Sequence, residues 1–353
     1  MNLQTSRYRI LLASLALVAA ACGQAATRPA DPGVAARGKA AASPSPSPSP
    51  SPSPSPSAIP VVVDPALPPA QAGPLPGQSL PLSGPLPYPV LIQIENSGPS
   101  RPQAGLQAAS LIFQYVTEAG ITRFSAIFHR VPGVVGPVRS ARFISQYLYH
   151  RFDAVLMASG AGDATLTRVV RDPGIKGGFF NDYAPQFFFR WSGRAAPHNV
   201  YTRQDQMLAV AGQGLRPPSS TDVLRSDDWA GTEAASHVDA PSMHSSFDFA
   251  NSSYSVVTDG RVQVDVLYGT VRPQSVVVMH VRQFTTAEIH DVNGVLGRDF
   301  DMNSGGGAEM YAHGTVVRGR WVSPGYNQPL QFTDAAGKPV GLPPGLSWVV
   351  LAE

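Results

Sequence analysis

Residues 43–56 are seven consecutive Ser-Pro dipeptides. Proline fixes φ near about −65° and has no amide hydrogen, so such a run enters neither a helix nor a central strand. It favours extended polyproline II, rising about 3.1 Å per residue. Pro65, Pro68, Pro69, Pro74, Pro76, Pro81 and Pro85 continue the pattern among Ala and Gly. Residues 22–86 therefore read as a disordered Ser/Pro-rich stalk, and any hydrophobic core must be built from residues 87–353.

The segment ahead of the stalk reads as a lipoprotein signal peptide over residues 1–21. Arg7 and Arg9 precede an unbroken small and apolar run, Ile10 to Ala21, and Cys22-Gly23 follows directly. The run is too short for a stable membrane span, and small residues before a cysteine form a processing site. Cys22 is then the expected lipidation site, and two or more acyl chains make the anchor durable. An ordinary secretory leader followed by a chance cysteine is the alternative. The expected location is extracytoplasmic, with the membrane as a partner through the lipid anchor.

Charge and cysteine count exclude several classes of function. Removing residues 1–21 takes away two of the 26 basic side chains and none of the 24 acidic ones, leaving 24 of each. A balanced chain has no global affinity for nucleic acid. Cys22 is the only cysteine. Once it is lipidated, no disulfide, cysteine nucleophile or Cys-ligated metal is possible.

The remaining chain reads as α+β. An N-terminal mixed α/β domain is expected over 87–215, from strand-like runs at 88–95, 111–117, 123–128 and 154–158. A helix is expected over 141–152, starting as early as Pro137, and a second one, capped by Asp163 or Thr165, is expected through Val170. Residues 216–251 read as an irregular connection broken by Pro217, Pro218 and Pro241. Short runs at 254–258, 263–268, 276–281, 309–313, 318–322 and 348–351 predict a smaller β-rich antiparallel part over 252–353. Asp259-Gly260, Asn293-Gly294 and Ala336-Gly337 supply its turns.

Chemistry concentrates in the first part. Arg101 lies in Ser-Arg-Pro, and Arg123 opens a strand. Arg139 and Arg142 lie in GPVRSAR, Arg190 and Arg194 flank Trp191, and Ala196-Pro197-His198-Asn199 follows. If Pro137 starts the helix, Arg139 and Arg142 share a face near its N-terminus, which already favours anions. Arg101, Glu118, Arg123, Arg139, Arg142, Arg194 and Asn199 form the candidate ligand-binding set. His198 is the candidate catalytic acid or base. The competing reading is that these arginines pair with Glu95, Glu118, Asp153, Asp163 or Asp182 and only hold loops. His237, Asp239 and His244 have no metal-site spacing, and Gly305 to Gly307 lack the residues of a phosphate loop. No metal and no cofactor is expected.

These motifs, in this order, resemble the YerB-like bacterial lipoproteins, a family of unknown function with N- and C-terminal conserved parts. The first part is carried by Glu95-Asn96, Arg101-Pro102, Gly105-Leu106, EAGITRF (118–124), GPVRSAR (136–142) and Ala196-Pro197-His198-Asn199. The second is carried by 305–309, Gly314, Trp321, Phe332-Thr333-Asp334, Gly337 and 344–348. Glu95 stands where the family more often has Asp. The resemblance implies a lipoprotein with a two-part head and supplies no reaction. The order of TRFSAIF, GPVRSAR and FDAVLMA is also loosely similar to LytR-CpsA-Psr glycopolymer transferases, which bind polyprenyl pyrophosphate through arginines; their metal-holding aspartates have no clear match here.

The leading expectation is a lipid-anchored binder of an anionic, phosphate-bearing cell-envelope ligand, such as a glycopolymer precursor, in an arginine-lined cleft. The alternatives are a glycopolymer transferase or hydrolase acting on a pyrophosphate-linked substrate, and an adaptor among envelope proteins.

Overall fold

The computed structural model describes residues 84–175, 178–212, 222–289 and 294–353. The expected leader, Cys22 and the Ser-Pro run lie outside the described residues. The first strand starts at Pro85, just inside the stretch read as stalk.

One long sheet organises the described chain. Its first-half strands are β1 (Pro85–Glu95), β2 (Leu111–Val116), β3 (Thr122–Arg130), β4 (Val155–Ala158) and β5 (Gly178–Phe180). The second half adds β6 (Ser275–His280), β7 (Gly306–Ala312), β8 (Thr315–Val322), β9 (Gln331–Asp334) and β10 (Ser347–Ala352). The order across the sheet is β9-β8-β7-β6-β10-β2-β3-β1-β4-β5, with Glu233–Ala234 also paired to β8. The final strand thus lies between the halves: β10 runs parallel to β6 on one side and to β2 on the other.

The alternation of side chains explains why these runs looked uniformly apolar. In β1, Val90, Ile92 and Ile94 pack on one face, with Phe124, Ala126, Phe128, Trp348 and Val350 from neighbouring strands. Leu91 packs on the other, with Phe113, Ile127, Leu156 and Val349. Both faces are covered, so neither needs polar residues. Helix α1 (Phe143–Arg151) covers the second face through Ile144 and Leu148. The first face is covered by α3 (Gln204–Ala211), through Met207 and Val210, and by Phe247, Tyr254 and Val256 of a four-stranded sheet. Between these helices in sequence, α2 (Asp163–Val170) begins directly at Asp163, after Gly162.

The α+β expectation holds, but the chain is richer in strand than its pattern suggests. Val134–Val135, Phe189–Arg190 and Val200–Arg203 form a small antiparallel sheet. Strands of two to four residues carry no readable periodicity, so these were invisible in the sequence. The stretch expected as an irregular connection also holds order. His237–Ala240 and Ser245–Ala250 pair with Ser253–Thr258 and Arg261–Val262 in the four-stranded sheet. The expected 263–268 strand is broken: Val264–Asp265 pairs with Gly269–Thr270 across a tight loop. Asp259 and Gly260 make the expected turn, both with positive φ.

The expected helix start is displaced, and this changes the site. α1 begins at Phe143 with Arg142 in the N-cap position, not at Pro137. Residues 137–139 are extended beside the end of β1: Glu95 N–H donates to Pro137 O (3.0 Å) and Arg139 N–H to Gln93 O (2.8 Å). Arg139 and Arg142 therefore share no helical face, and the anion site expected at a helix N-terminus is not formed in that way.

Candidate functional site

The candidate site lies outside the carboxyl ends of the parallel strands β1 and β4, where open sheets containing parallel strands commonly present loops to a ligand. β4 pairs with Val90 to Ile92 only. Beyond it, Val138 takes the place beside Ile94. Val138 N–H in turn donates to Val200 O (2.7 Å). This brings in the hairpin of Phe189–Arg190 and Val200–Arg203, whose tip carries His198. Gly136 permits the junction: a Cβ there would meet the Tyr201 ring at 2.4 Å. The Arg101-Pro102, Gly136-Pro137 and Ala196-Pro197 peptide bonds around the site are all cis.

Glu95 is the centre of the arrangement. It is buried at the end of β1. Its carboxylate lies 2.9 Å from His198 Nδ1 at both oxygens and accepts from Ser97 Oγ at 2.8 Å. Arg139 Nε lies 3.5 Å from Glu95 Oε2. That is an ion pair without a hydrogen bond, since Arg139 Nε has no hydrogen-bond partner. The Arg139 side chain is 27% exposed, whereas that of Glu95 is 6% exposed. His198 Nε2 makes no bond to any described residue.

A second pair lies beside this one. Arg142 and Glu118 form a fork: Nε donates to both carboxylate oxygens (2.8 and 3.0 Å) and Nη2 to Oε2 (2.7 Å). Both side chains are buried. Arg123, opposite Glu95 in the strand register, donates from Nη1 to Ser140 O at 3.0 Å, and its Nε is unpartnered. Burial, reinforced by the nearby Arg142 charge, pushes the Arg123 guanidinium down to about 9. Three guanidiniums, those of Arg123, Arg139 and Arg142, thus face two carboxylates, Glu95 and Glu118.

The other expected ligands hold loops. Arg101 donates to Asn96 Oδ1 (3.0 Å), Asn96 O (2.7 Å) and Thr258 O (3.3 Å), and pairs with Asp259 at 2.8 Å. It also walls a cavity of about 380 Å³ with Asp259, Arg261 and Gln263. Arg194 donates to Ser100 O and to Pro102 O, clamping that turn. Asn199 accepts from Arg190 through Oδ1 at 2.9 Å. His237 is occupied by Asp248 (2.6 Å) and Asp239 (3.1 Å), while His244 pairs with Asp259. Among the described residues, no cluster of three or more His, Cys, Asp or Glu side chains could hold a metal.

Two family descriptions match this chain. "Protein of unknown function (DUF3048) N-terminal domain" covers residues 84–215, and the corresponding C-terminal domain covers 235–349. A Bacillus subtilis (strain 168) protein named "Putative lipoprotein YerB" is 29% identical over 248 residues, 66% of this chain and 72% of that one. The crystal structure of Bacillus subtilis YerB aligns with TM-score 0.62 and 25% identity, over 75% of this chain and 90% of that one. The chain belongs to the YerB-like family.

In this YerB-like protein the matched regions contain both the Glu95 cluster and the sheet beneath it. Sequence reasoning missed Ser97 and Gln103. Gln103 is fully buried and donates from Nε2 to Glu95 O (2.8 Å) and Asn96 Oδ1 (3.2 Å). A lone glutamine after a proline carries no signal of that role. Asn96 was legible only as part of the Glu95-Asn96 pair. Its Nδ2 donates to Thr122 Oγ1 at 2.8 Å, tying the end of β1 to the start of β3.

Proposed function

We propose that this YerB-like protein is anchored outside the cytoplasm through lipidated Cys22 and binds a phosphate-bearing anion at Arg139 and His198. The observation that carries this reading is the state of Arg139. It is a partly exposed guanidinium on a buried floor, and its side chain makes no hydrogen bond to the described residues. An arginine that only held a loop would spend its donors on carbonyls, as Arg101 and Arg194 do. Its Nε is buried against Glu95, and the exposed remainder of the guanidinium is left for a phosphate, which it suits in charge. Glu95 opposes an anion, but it already accepts from Ser97 and lies against His198 and Arg139. The surplus guanidinium sets the local balance.

The test is Arg139→Ala with inorganic pyrophosphate as probe. Affinity should fall by about 1.5–3 kcal/mol, roughly ten- to hundred-fold, as expected for lost hydrogen bonds to a charged group. The melting temperature should fall far less than in Glu118→Gln, because the side chain makes no internal hydrogen bond and Glu95 keeps Ser97 and His198 beside it. A loss of thermal stability with unchanged pyrophosphate affinity would make Arg139 a loop-holding residue.

The enzyme reading draws on one further observation. Glu95 holds His198 through Nδ1 and leaves Nε2 available, which is how a carboxylate orients an acid–base imidazole. In a transferase or hydrolase acting on a pyrophosphate-linked substrate, Nε2 would carry the proton and Arg139 would stabilise the developing charge. Turnover of such a substrate, lost in His198→Ala while pyrophosphate still binds, would favour this reading over a binder.

Anchoring is tested separately. Cys22→Ser should leave the precursor uncleaved or free the protein from the membrane fraction. Normal processing with normal membrane retention would remove the lipid anchor from the proposal. Among the described residues, no helix is long and apolar enough to cross a membrane.

A further inference from the structure

A second cavity, of about 560 Å³, opens beside α1 and the C-terminal end of α2; its walls include Gln146, His150, Arg168, Arg171, Asp172 and Tyr326. It shares no residue with the Glu95 cluster. Its floor is built. Asp172 Oδ2 accepts from Gln146 Nε2 (2.5 Å) and Tyr149 OH (2.8 Å) and meets His150 Nε2 at 2.6 Å; Oδ1 accepts from Gly174 N–H at 2.8 Å. Burial favours the neutral acid, but the bonds from Gln146, His150, Gly174 and Tyr149 outweigh it and hold the carboxyl at about 2. A carboxylate therefore sits in the floor at any physiological pH.

Above it stands an aromatic stack. The His150 ring lies 4.7 Å from that of Tyr149 and 4.4 Å from that of Tyr326. Gly174 allows the chain to close over this ring, since a Cβ there would lie 2.3 Å from His150 Cε1. Tyr326 is 41% exposed, and its loop is fixed from behind. Fully buried Arg151 donates to Gly325 O (2.8 Å), Met302 O (2.6 Å) and Asn303 Oδ1 (2.7 Å). Asn327 lines the same cavity, and exposed Arg171 has no side-chain partner among the described residues.

We propose that this cavity is a saccharide subsite for a pyranose ring carrying an acidic group. The ring's C–H face packs on Tyr326, its hydroxyls meet Asn327, and its acid meets Arg171. A tyrosine with one apolar face and a prearranged backing binds a ring without first being ordered. Convergent polar groups beside an aromatic wall fix orientation in small-molecule sites. The carboxylate floor disfavours a bare phosphate, and its polarity disfavours an apolar ligand. The isolated cation of Arg171 selects the acidic substituent.

The test uses the full mature chain and saturation-transfer NMR with glucuronate and glucose, two sugars that differ at the carboxylate. Glucuronate ring protons should receive saturation, and its affinity should exceed that of glucose. Tyr326→Ala should weaken both sugars at least tenfold. Arg171→Gln, at an exposed position that does not threaten the fold, should reduce glucuronate to the level of glucose and leave glucose unchanged. Arg139→Ala should change neither sugar, which separates this site from the proposed anion site. No transfer to either sugar would overturn the proposal. So would equal binding of the two sugars, or binding that is indifferent to both Tyr326→Ala and Arg171→Gln.

Discussion

Replacing Glu118 by glutamine should cost about 3–5 kcal/mol of folding stability, because it strands a buried guanidinium. Arg142 spends Nε and Nη2 on Glu118, and both side chains are almost fully enclosed. Arg123 lies close by and is already pushed down to about 9 by burial and by the Arg142 charge. Removing one of two carboxylates leaves three guanidiniums against Glu95 alone. Urea denaturation of the wild type and of Glu118→Gln measures the difference. The double variant Glu118→Leu/Arg142→Met should recover most of it, since removing both partners of a buried pair costs far less than removing one. A single-variant loss under about 1 kcal/mol would mean that the pair is solvated and that the cluster floor is not closed.

A fragment of residues 84–215, the extent of the N-terminal family match, should not fold cooperatively by itself. The reason is the position of β10. Leu111 to Gln114 pair with Ser347 to Val350, so cutting the chain exposes one edge of β2. Trp348 is lost as well. It is fully buried, with its ring 5.0 Å from that of Phe124, and it donates from Nε1 to Gln114 Oε1 at 2.8 Å. In the intact chain Trp348→Ala alone should cost about 3–5 kcal/mol, as large aromatic truncations in cores do. Circular dichroism and urea titration of the fragment give the outcome. A sharp two-state transition would show that the first half owns a complete core.

β1 to β4 were legible because each is a continuous apolar run. β1, β2 and β3 are covered on both faces, and that burial writes itself into composition. The pairing of β10 with β2 was not legible, because it joins residues more than two hundred positions apart and no local pattern encodes a partner. The start of α1 was misplaced for a local reason. Pro137 is a favoured first helical residue, yet the backbone of 137–139 is committed to Gln93 and Glu95. At the candidate site, residue types pointed to a region that the fold draws together, since Arg139, His198 and Glu95 meet there. They did not show which arginine keeps its donors. Arg101, Arg142 and Arg194 look the same as Arg139 in sequence, and only the accepting groups around each one distinguish them.

The central claim is that Arg139 is the arginine left open to an anion. Its most direct measurement is the Nε–Hε NMR signal of each arginine, assigned with single Arg→Lys variants and followed during a pyrophosphate titration. The Arg139 signal should shift saturably, while that of Arg142, whose Nε–H is committed to Glu118, stays in place. A titration that leaves Arg139 unmoved, or that shifts only Arg101 beside its own cavity, would contradict the account.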